Sequence, residues 1–225
     1  MRTVLITGAA GNLGRAVAKA FGDAGDNLVL LDVEPGALPA TDRQLYIAAN
    51  LLEPQSVDGA VAQALQRFKR IDVLCNIAGG FRMGPAVHET ADQDWNFLFD
   101  INARTVLSIT RTVVPVMLKA GGGKIVNVGA FAAQKGMAHM GAYVAAKSAV
   151  IRLTESMAAE LRERNINVNC VLPTIIDTPE NRAAMPNADP KRWVAPAALA
   201  DVILFLASDA ARAIHGAALP VTGLS

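Results

Sequence analysis

The sequence predicts a single doubly wound α/β domain, a parallel sheet of about seven strands with helices on both faces. Short apolar runs ending in glycine or acid alternate with amphipathic stretches along the whole chain. The first such run leads directly into a glycine-rich turn and a helix, the arrangement found at the switch point of these sheets. The chain has 225 residues, 52% of them hydrophobic, which is enough for one large core. No linker, repeat or low-complexity segment interrupts it, so 1–225 reads as one domain.

Thr3–Thr7 is an aliphatic, β-branched run and predicts the first strand. Gly8, Gly11 and Gly14 follow, around Asn12 and Leu13. Leu13, Val17, Ala20 and Phe21 then form a helical stripe. Leu28–Leu31 is a second strand, closed by Asp32, 24 residues after Gly8. Strand, glycine turn, helix, strand and acid in that order are the fingerprint of a dinucleotide site. The glycines let backbone approach a pyrophosphate, and the helix N-terminus attracts it. Asp32 is placed to accept from adenosine ribose hydroxyls and to repel a 2′-phosphate, so NAD(H) is expected in preference to NADP(H).

Only a short segment with proline and glycine separates Asp32 from a third strand, Gln44–Ala48, so this crossover lacks a full helix. Pro54–Phe68 is an amphipathic helix with Val57, Val61, Ala64, Leu65 and Phe68 on one stripe. Asp72–Cys75 is a fourth strand, followed by Asn76-Ile77-Ala78-Gly79-Gly80, a second glycine turn. Phe81–Thr90 reads as a loop. Asp92–Phe99 and Ala103–Leu118 read as helices, the second kinked at Pro115. Lys124–Val128 is a fifth strand, followed by Gly129-Ala130-Phe131. Tyr143–Arg164 is a long helix and Asn167–Val171 a sixth strand. Interior prolines and mixed polarity make 174–193 a mobile lid over the site. Pro196–Ser208 is the last helix and Ala217–Val221 the last strand.

Tyr143 and Lys147 are four residues apart and face the same way on their helix. An ammonium beside a phenol favours the phenolate and lowers its pKa, which makes Tyr143 a candidate proton donor or acceptor. His139 stands four residues before Tyr143, within reach of the same site. Phe81, Met137, Met140 and Trp193 are candidates for an apolar substrate wall.

Composition excludes several classes. Net charge is +1 with no basic cluster, so nucleic acid is not an expected partner. No apolar stretch reaches transmembrane length, and the apolar run after Met1-Arg2 is too short for a signal peptide. Cys75 and Cys170 fall in strands and read as reduced core thiols of a cytoplasmic protein. His88 and His215 have no ligand companions, so no metal is expected. Charged residues make up only 18%, which implies faces buried beyond the monomer and a homo-oligomer.

Over essentially its whole length the chain resembles the short-chain dehydrogenase/reductase family. Thr7-Gly8 through Gly14, Asp32, Asn76-Ile77-Ala78-Gly79, Asn102, Tyr143 with Lys147, and Asn169 through Pro173 to Thr178 carry the likeness. The resemblance implies that Tyr143 is the catalytic acid/base, that Lys147 bonds the nicotinamide ribose and lowers the Tyr143 pKa, and that Asn102 supports a water-linked proton path. It also implies that Asn76, Ala78 and Gly79 line the adenosine ribose, that Asn50 and Leu51 lie at the adenine end, that Thr178 and the backbone near Ile176 hold the carboxamide, and that Pro173 belongs to the cofactor site. It further implies a homodimer or homotetramer built on the helices Ala103–Leu118 and Tyr143–Arg164.

Three departures stand out. Asn12 replaces a family glycine, with Gly11 one position earlier. Asn50 stands where the family usually has an acid. Ala130, thirteen residues before Tyr143, occupies the place of the family's catalytic serine. The quinonoid dihydropteridine reductase branch is similar at the last of these, in Gly129–Ala133, and again in Leu172–Asp189 with Trp193. That likeness implies NADH-dependent hydride transfer to an electron-poor C=N or C=O substrate that needs no serine. A general carbonyl reductase or alcohol dehydrogenase, with Gln134 or Asn127 replacing the serine, is the alternative. A non-catalytic NAD-binding protein is the third.

Overall fold

The computed structural model describes residues 1–34 and 41–225. The shortened crossover predicted after Asp32 lies largely outside the described residues. Seven parallel strands form one sheet: β1 (Thr3–Thr7), β2 (Asn27–Asp32), β3 (Gln44–Ala48), β4 (Val73–Asn76), β5 (Gly123–Val128), β6 (Ile166–Pro173) and β7 (Ala218–Val221). Their spatial order is β3-β2-β1-β4-β5-β6-β7. The chain winds outward from β1 in one direction and from β4 in the other, so a crevice opens where the order reverses, above the carboxyl ends of those two strands.

Helices cover both faces. Helix α1 (Asn12–Asp23) and α7 (Pro196–Leu206) pack on one, around Val17, Phe21, Leu199 and Ile203. Helices α2 (Pro54–Phe68), α4 (Thr105–Ala120) and α5 (Gly141–Leu161) pack on the other. Burial on both faces explains why β1, β4 and β6 are buried along their whole lengths and read as continuous rather than alternating apolar runs. The boundaries of α2 match the sequence reading. Pro54 stands at its start, and Lys69, with φ 69°, turns left-handed at its end.

Two segments differ from the reading. The helix predicted from Ala103 is preceded by a π-helical turn, Asp100–Arg104, between α3 (Asp92–Phe99) and α4. The Asn102 side chain explains the turn. Its Nδ2 donates to the Leu98 carbonyl, which an α-helix would reserve for the Asn102 backbone N–H, so the ladder shifts by one residue.

The second segment is 174–193, read from the sequence as a lid, in which the structure adds short regular elements. Helix α6 (Pro179–Ala184) begins at Thr178, whose Oγ1 accepts from the Asn181 N–H at 3.2 Å, with Pro179 at the first position. A 3-10 turn, Pro190–Arg192, follows, and Ile176 bridges to Val194. No helix among the described residues is long and apolar enough to cross a membrane.

Candidate active site

A cleft of about 1720 Å³ runs along the carboxyl ends of the central strands. Two glycine turns form its floor, and their backbones touch. Gly8 has φ +63°, and a Cβ on it would stand 2.8 Å from the Ala78 backbone. A Cβ on Gly14 would stand 2.1 Å from the Gly8 carbonyl oxygen. With Gly11, Asn12 and Leu13 these residues leave bare backbone at the N-terminus of α1, a cradle that fits a pyrophosphate.

We expect Gly14→Ala to push the Gly8 carbonyl out of place. Overpacking of this kind costs about 1–3 kcal/mol, so NADH binding, read by fluorescence titration, should weaken on the order of ten- to a hundredfold. An unchanged affinity would show that the turn is not the cradle.

Neighbouring residues hold the turns in place. Thr7 Oγ1 accepts from the Ile77 and Ala78 N–H groups, each at 3.1 Å. Asp32 accepts from the Ala10 N–H at 2.9 Å and the Val33 N–H at 2.8 Å, and it borders the cleft with lone pairs to spare. Asn50 and Leu51 border the same end. The Asn50 side chain, however, is engaged in the turn into α2: its Nδ2 donates to Glu53 and its Oδ1 accepts from the Leu52 N–H.

Asn76 corrects the reading. It is buried and faces inside the sheet, where its Nδ2 donates to Asn127 Oδ1 at 2.8 Å, so it does not line the cleft; Ala78 and Gly79 do. Asn127 is fully buried in the same network and cannot stand in for the missing serine.

Two of the three residues expected to carry catalysis meet at Gly79, and the third, Tyr143, borders the same cleft. A Cβ on Gly79 would meet Asn102 Oδ1 at 2.9 Å and Lys147 Nζ at 3.1 Å. Lys147 is buried, and its Nζ donates to the Val128 carbonyl at 2.8 Å. Asn102 is buried as well. It donates to the Gly80 carbonyl and accepts from the Gly80 N–H, fixing the second glycine turn to the π-helical turn before α4. Tyr143 lies in the first turn of α5 and borders the cleft, with the Phe81 ring perpendicular to it at a centroid distance of 4.9 Å.

The titration behaviour differs from the expectation. Burial pushes the Tyr143 phenol up to about 12, and burial pushes Lys147 down to about 8. Desolvation outweighs any attraction between the two groups. At neutral pH Tyr143 is therefore a protonated phenol and can donate.

At the substrate end Ala130 borders the cleft and presents only a methyl group. Of the wall candidates, Phe81, Met137 and Met140 border the cleft, and Met83, Phe97, Phe131 and Met185 border it as well. Sequence reasoning does not single out Met83, Phe131 and Met185, which lie in segments of no clear periodicity, or Phe97, whose helix Asp92–Phe99 carries no local sign of a ligand face.

His139 does not line the cleft. It sits in a left-handed turn with φ 59°, is exposed, and contributes its carbonyl to the Gly84 N–H. Trp193 is also absent from the wall. Its large ring is buried, where its apolar area is removed from water. Pro173, Ile176 and Thr178 border the cleft. Glu180 accepts from Asn12 Nδ2 at 2.9 Å, so the residue that replaces a family glycine ties the glycine turn to α6.

Comparison with known proteins agrees with this geometry. The family model for short chain dehydrogenases matches residues 2–189. The chain belongs to the short-chain dehydrogenase family. The chain is 33% identical to D-threitol dehydrogenase of Mycolicibacterium smegmatis, covering 99% of this chain and 92% of that protein. It is 31% identical to a 3-oxoacyl-[acyl-carrier-protein] reductase of Thermotoga maritima, covering 99% and 96%. The structure of carveol dehydrogenase from Mycobacterium avium in complex with NAD superposes with a TM-score of 0.88 at 27% identity, covering 99% and 96%. These relatives are dehydrogenases and reductases, and the chain is an NAD(P)-dependent oxidoreductase with their fold.

Proposed function

We propose that this short-chain dehydrogenase is an NADH-dependent reductase of an electron-poor C=N or C=O bond, akin to dihydropteridine reductase. One observation carries the reading. Lys147 and Asn102 meet at Gly79 and Tyr143 borders the same cleft, yet Ala130 offers no hydroxyl to polarise a carbonyl. A donor of that kind is worth about 3–4 kcal/mol in the transition state. A substrate already activated by conjugation does not need it.

Bound in the cleft, the nicotinamide supplies the hydride. The chain supplies the rest. Tyr143, protonated at neutral pH, delivers the proton to the nitrogen or oxygen that gains charge. Lys147 keeps a positive charge beside it. Phe81, Met83 and Met140 exclude water and offer polarisable contacts to a flat ring. Asp32 at the ribose end favours NADH over NADPH by repelling a 2′-phosphate.

One observation favours a second reading, a ketone or alcohol oxidoreductase like the threitol and 3-oxoacyl relatives. Gln134 borders the cleft, and its amide makes no side-chain hydrogen bond among the described residues, leaving a donor for a carbonyl. A turnover screen with NADH and NADPH across quinonoid dihydropterin, quinones, ketones and polyols separates the two. We expect NADH oxidation with the quinonoid substrates. Turnover of ketones or polyols alone would establish the second reading. A strong NADPH preference would overturn the role given to Asp32, and tight binding without turnover would overturn both readings.

Ala130→Ser sharpens the distinction. The expected result is little change on either substrate class, because the native substrate arrives activated. A gain on the order of 10²-fold on simple ketones, the worth of one such donor, would favour the second reading.

A further inference from the structure

A row of polar side chains crosses the sheet beneath the active site. The strand register places Thr7, Asn76, Asn127 and Cys170 side by side on β1, β4, β5 and β6. Register partners point to the same face of a parallel sheet, here the face covered by α5. Asn76 Nδ2 donates to Asn127 Oδ1 at 2.8 Å. Asn127 Nδ2 donates to Thr154 Oγ1 on α5, also at 2.8 Å, and Thr154 Oγ1 donates to the Val150 carbonyl at 2.8 Å. All three side chains are at most 3% exposed. Such a chain fixes geometry closely, because a buried amide or hydroxyl cannot lose its partner without a penalty.

The position of this chain gives it a consequence for the site. Asn76 directly precedes the turn Ile77-Ala78-Gly79. Asn127 directly precedes Val128, whose carbonyl accepts from Lys147. Thr154 lies two turns beyond Lys147 on the same helix. The three hydrogen-bonded groups therefore join the three segments whose spacing sets the Lys147, Val128 and Gly79 contact. Apolar packing elsewhere along α5 does not fix a sliding motion as closely, since Val150, Ile151 and Ala158 make non-directional contacts.

We propose that Asn127 and Thr154 are positioning residues that lock the register of α5 on β4 and β5 and so hold Tyr143 and Lys147 in their reactive places. The proposal rests on the catalytic reading of Tyr143 and Lys147 given above.

The test is Thr154→Val, which keeps the shape, removes the hydroxyl and strands the Asn127 amide. Thr154→Ser serves as the rescuing variant. Thr110→Val is the control. Thr110 is likewise a buried threonine, on α4, and its Oγ1 bonds only within its own helix, to the Val106 and Leu107 carbonyls. Each variant is assayed for kcat, for KM with NADH and with the best substrate of the screen, and for thermal stability, with Tyr143→Phe in parallel.

A misplacement of about 1 Å costs up to roughly 10²-fold in rate. We expect kcat of Thr154→Val to fall on the order of tenfold or more, with KM for NADH within about twofold, near-complete recovery in Thr154→Ser, and no kcat change in Thr110→Val, whose melting temperature should fall less because it strands no buried amide. Should Thr154→Val not fold, Thr154→Cys, which keeps the volume and a weak acceptor, is read by the same split. Equal kcat values for Thr154→Val and Thr110→Val would overturn the positioning role. If Tyr143→Phe remains active, the catalytic reading fails instead, and the positioning proposal fails with it.

Discussion

Tyr143→Phe should lower kcat by about 10²–10⁴-fold, the usual worth of a positioned acid or base, while leaving the fold and NADH binding intact. The separation follows from the site's geometry. The Tyr143 hydroxyl makes no side-chain hydrogen bond among the described residues, so its removal leaves no buried partner stranded. The ring itself keeps its packing, including the perpendicular contact with Phe81 at 4.9 Å. What is lost is the proton. Burial holds the phenol up to about 12, so at neutral pH it is a filled donor, suited to reduction, where negative charge develops on the atom opposite the hydride. The check is kcat and KM on the best substrate of the screen, alongside a thermal melt and an NADH titration. Wild-type turnover in the variant would show that the proton comes from elsewhere.

How much of this was legible in the sequence follows from which forces act locally. The strands show because both faces of the sheet are buried, and each strand must be apolar nearly throughout. Helix α2 shows at both ends because Pro54 and the apolar stripe are local signals. The glycine turns show because close backbone approach excludes a Cβ at Gly8 and Gly14.

Other features depend on register or on side chains distant in sequence. Asn76 looked like a ligand residue because it precedes a ligand-binding turn. Only its pairing with Asn127 across two strands, 51 residues away, turns it inward. The π turn at Asp100–Arg104 arises from one side chain, Asn102, competing for the Leu98 carbonyl, and no periodicity reports that. The start of α6 was readable, since Thr178-Pro179 is a capping threonine followed by a proline at the first helical position. The surrounding prolines obscured it. Nearness to Tyr143 in sequence suggests His139, and a large ring at the end of the 174–193 segment suggests Trp193. The Trp193 ring is buried instead, and a left-handed turn at His139 leaves that residue exposed away from the cleft. The Tyr143–Lys147 pair was legible as a pair, but its electrostatics were not. Spacing shows that two groups are neighbours, whereas desolvation depends on everything packed around them.

Lys147→Met should move activity and stability in opposite directions. Lys147 is 5% exposed, donates to the Val128 carbonyl, and forms no ion pair among the described residues. Burial lowers it from an ordinary 10.5 to about 8. A lysine whose pKa is depressed on folding destabilises the folded state wherever both states carry the proton. That penalty is full below pH 8. Between pH 8 and 10.5 the unfolded chain binds more protons than the folded one, so stability rises with pH and the penalty fades. The size is on the order of 3 kcal/mol, from about 1.4 kcal/mol per pKa unit.

Methionine has similar length and no charge. It relieves the penalty and gives up one hydrogen bond worth about 1 kcal/mol. At pH 7 the variant should therefore be more stable by about 1–2 kcal/mol, a rise of several degrees in melting temperature. The gain should shrink as the pH approaches 10. Turnover should fall at least on the order of 10²-fold, because the charge beside Tyr143 is gone. In the wild type the same titration predicts that turnover declines as the pH rises through about 8, where the ammonium loses its proton. Melts at pH 7 and pH 10, with a pH profile of kcat, check both halves. A variant less stable at pH 7, or a wild-type profile flat through pH 9, would show that the buried ammonium is not the strained group this geometry implies. A charge kept in the core at a cost to the fold, and removable with a gain in stability and a loss of turnover, marks a residue retained for chemistry.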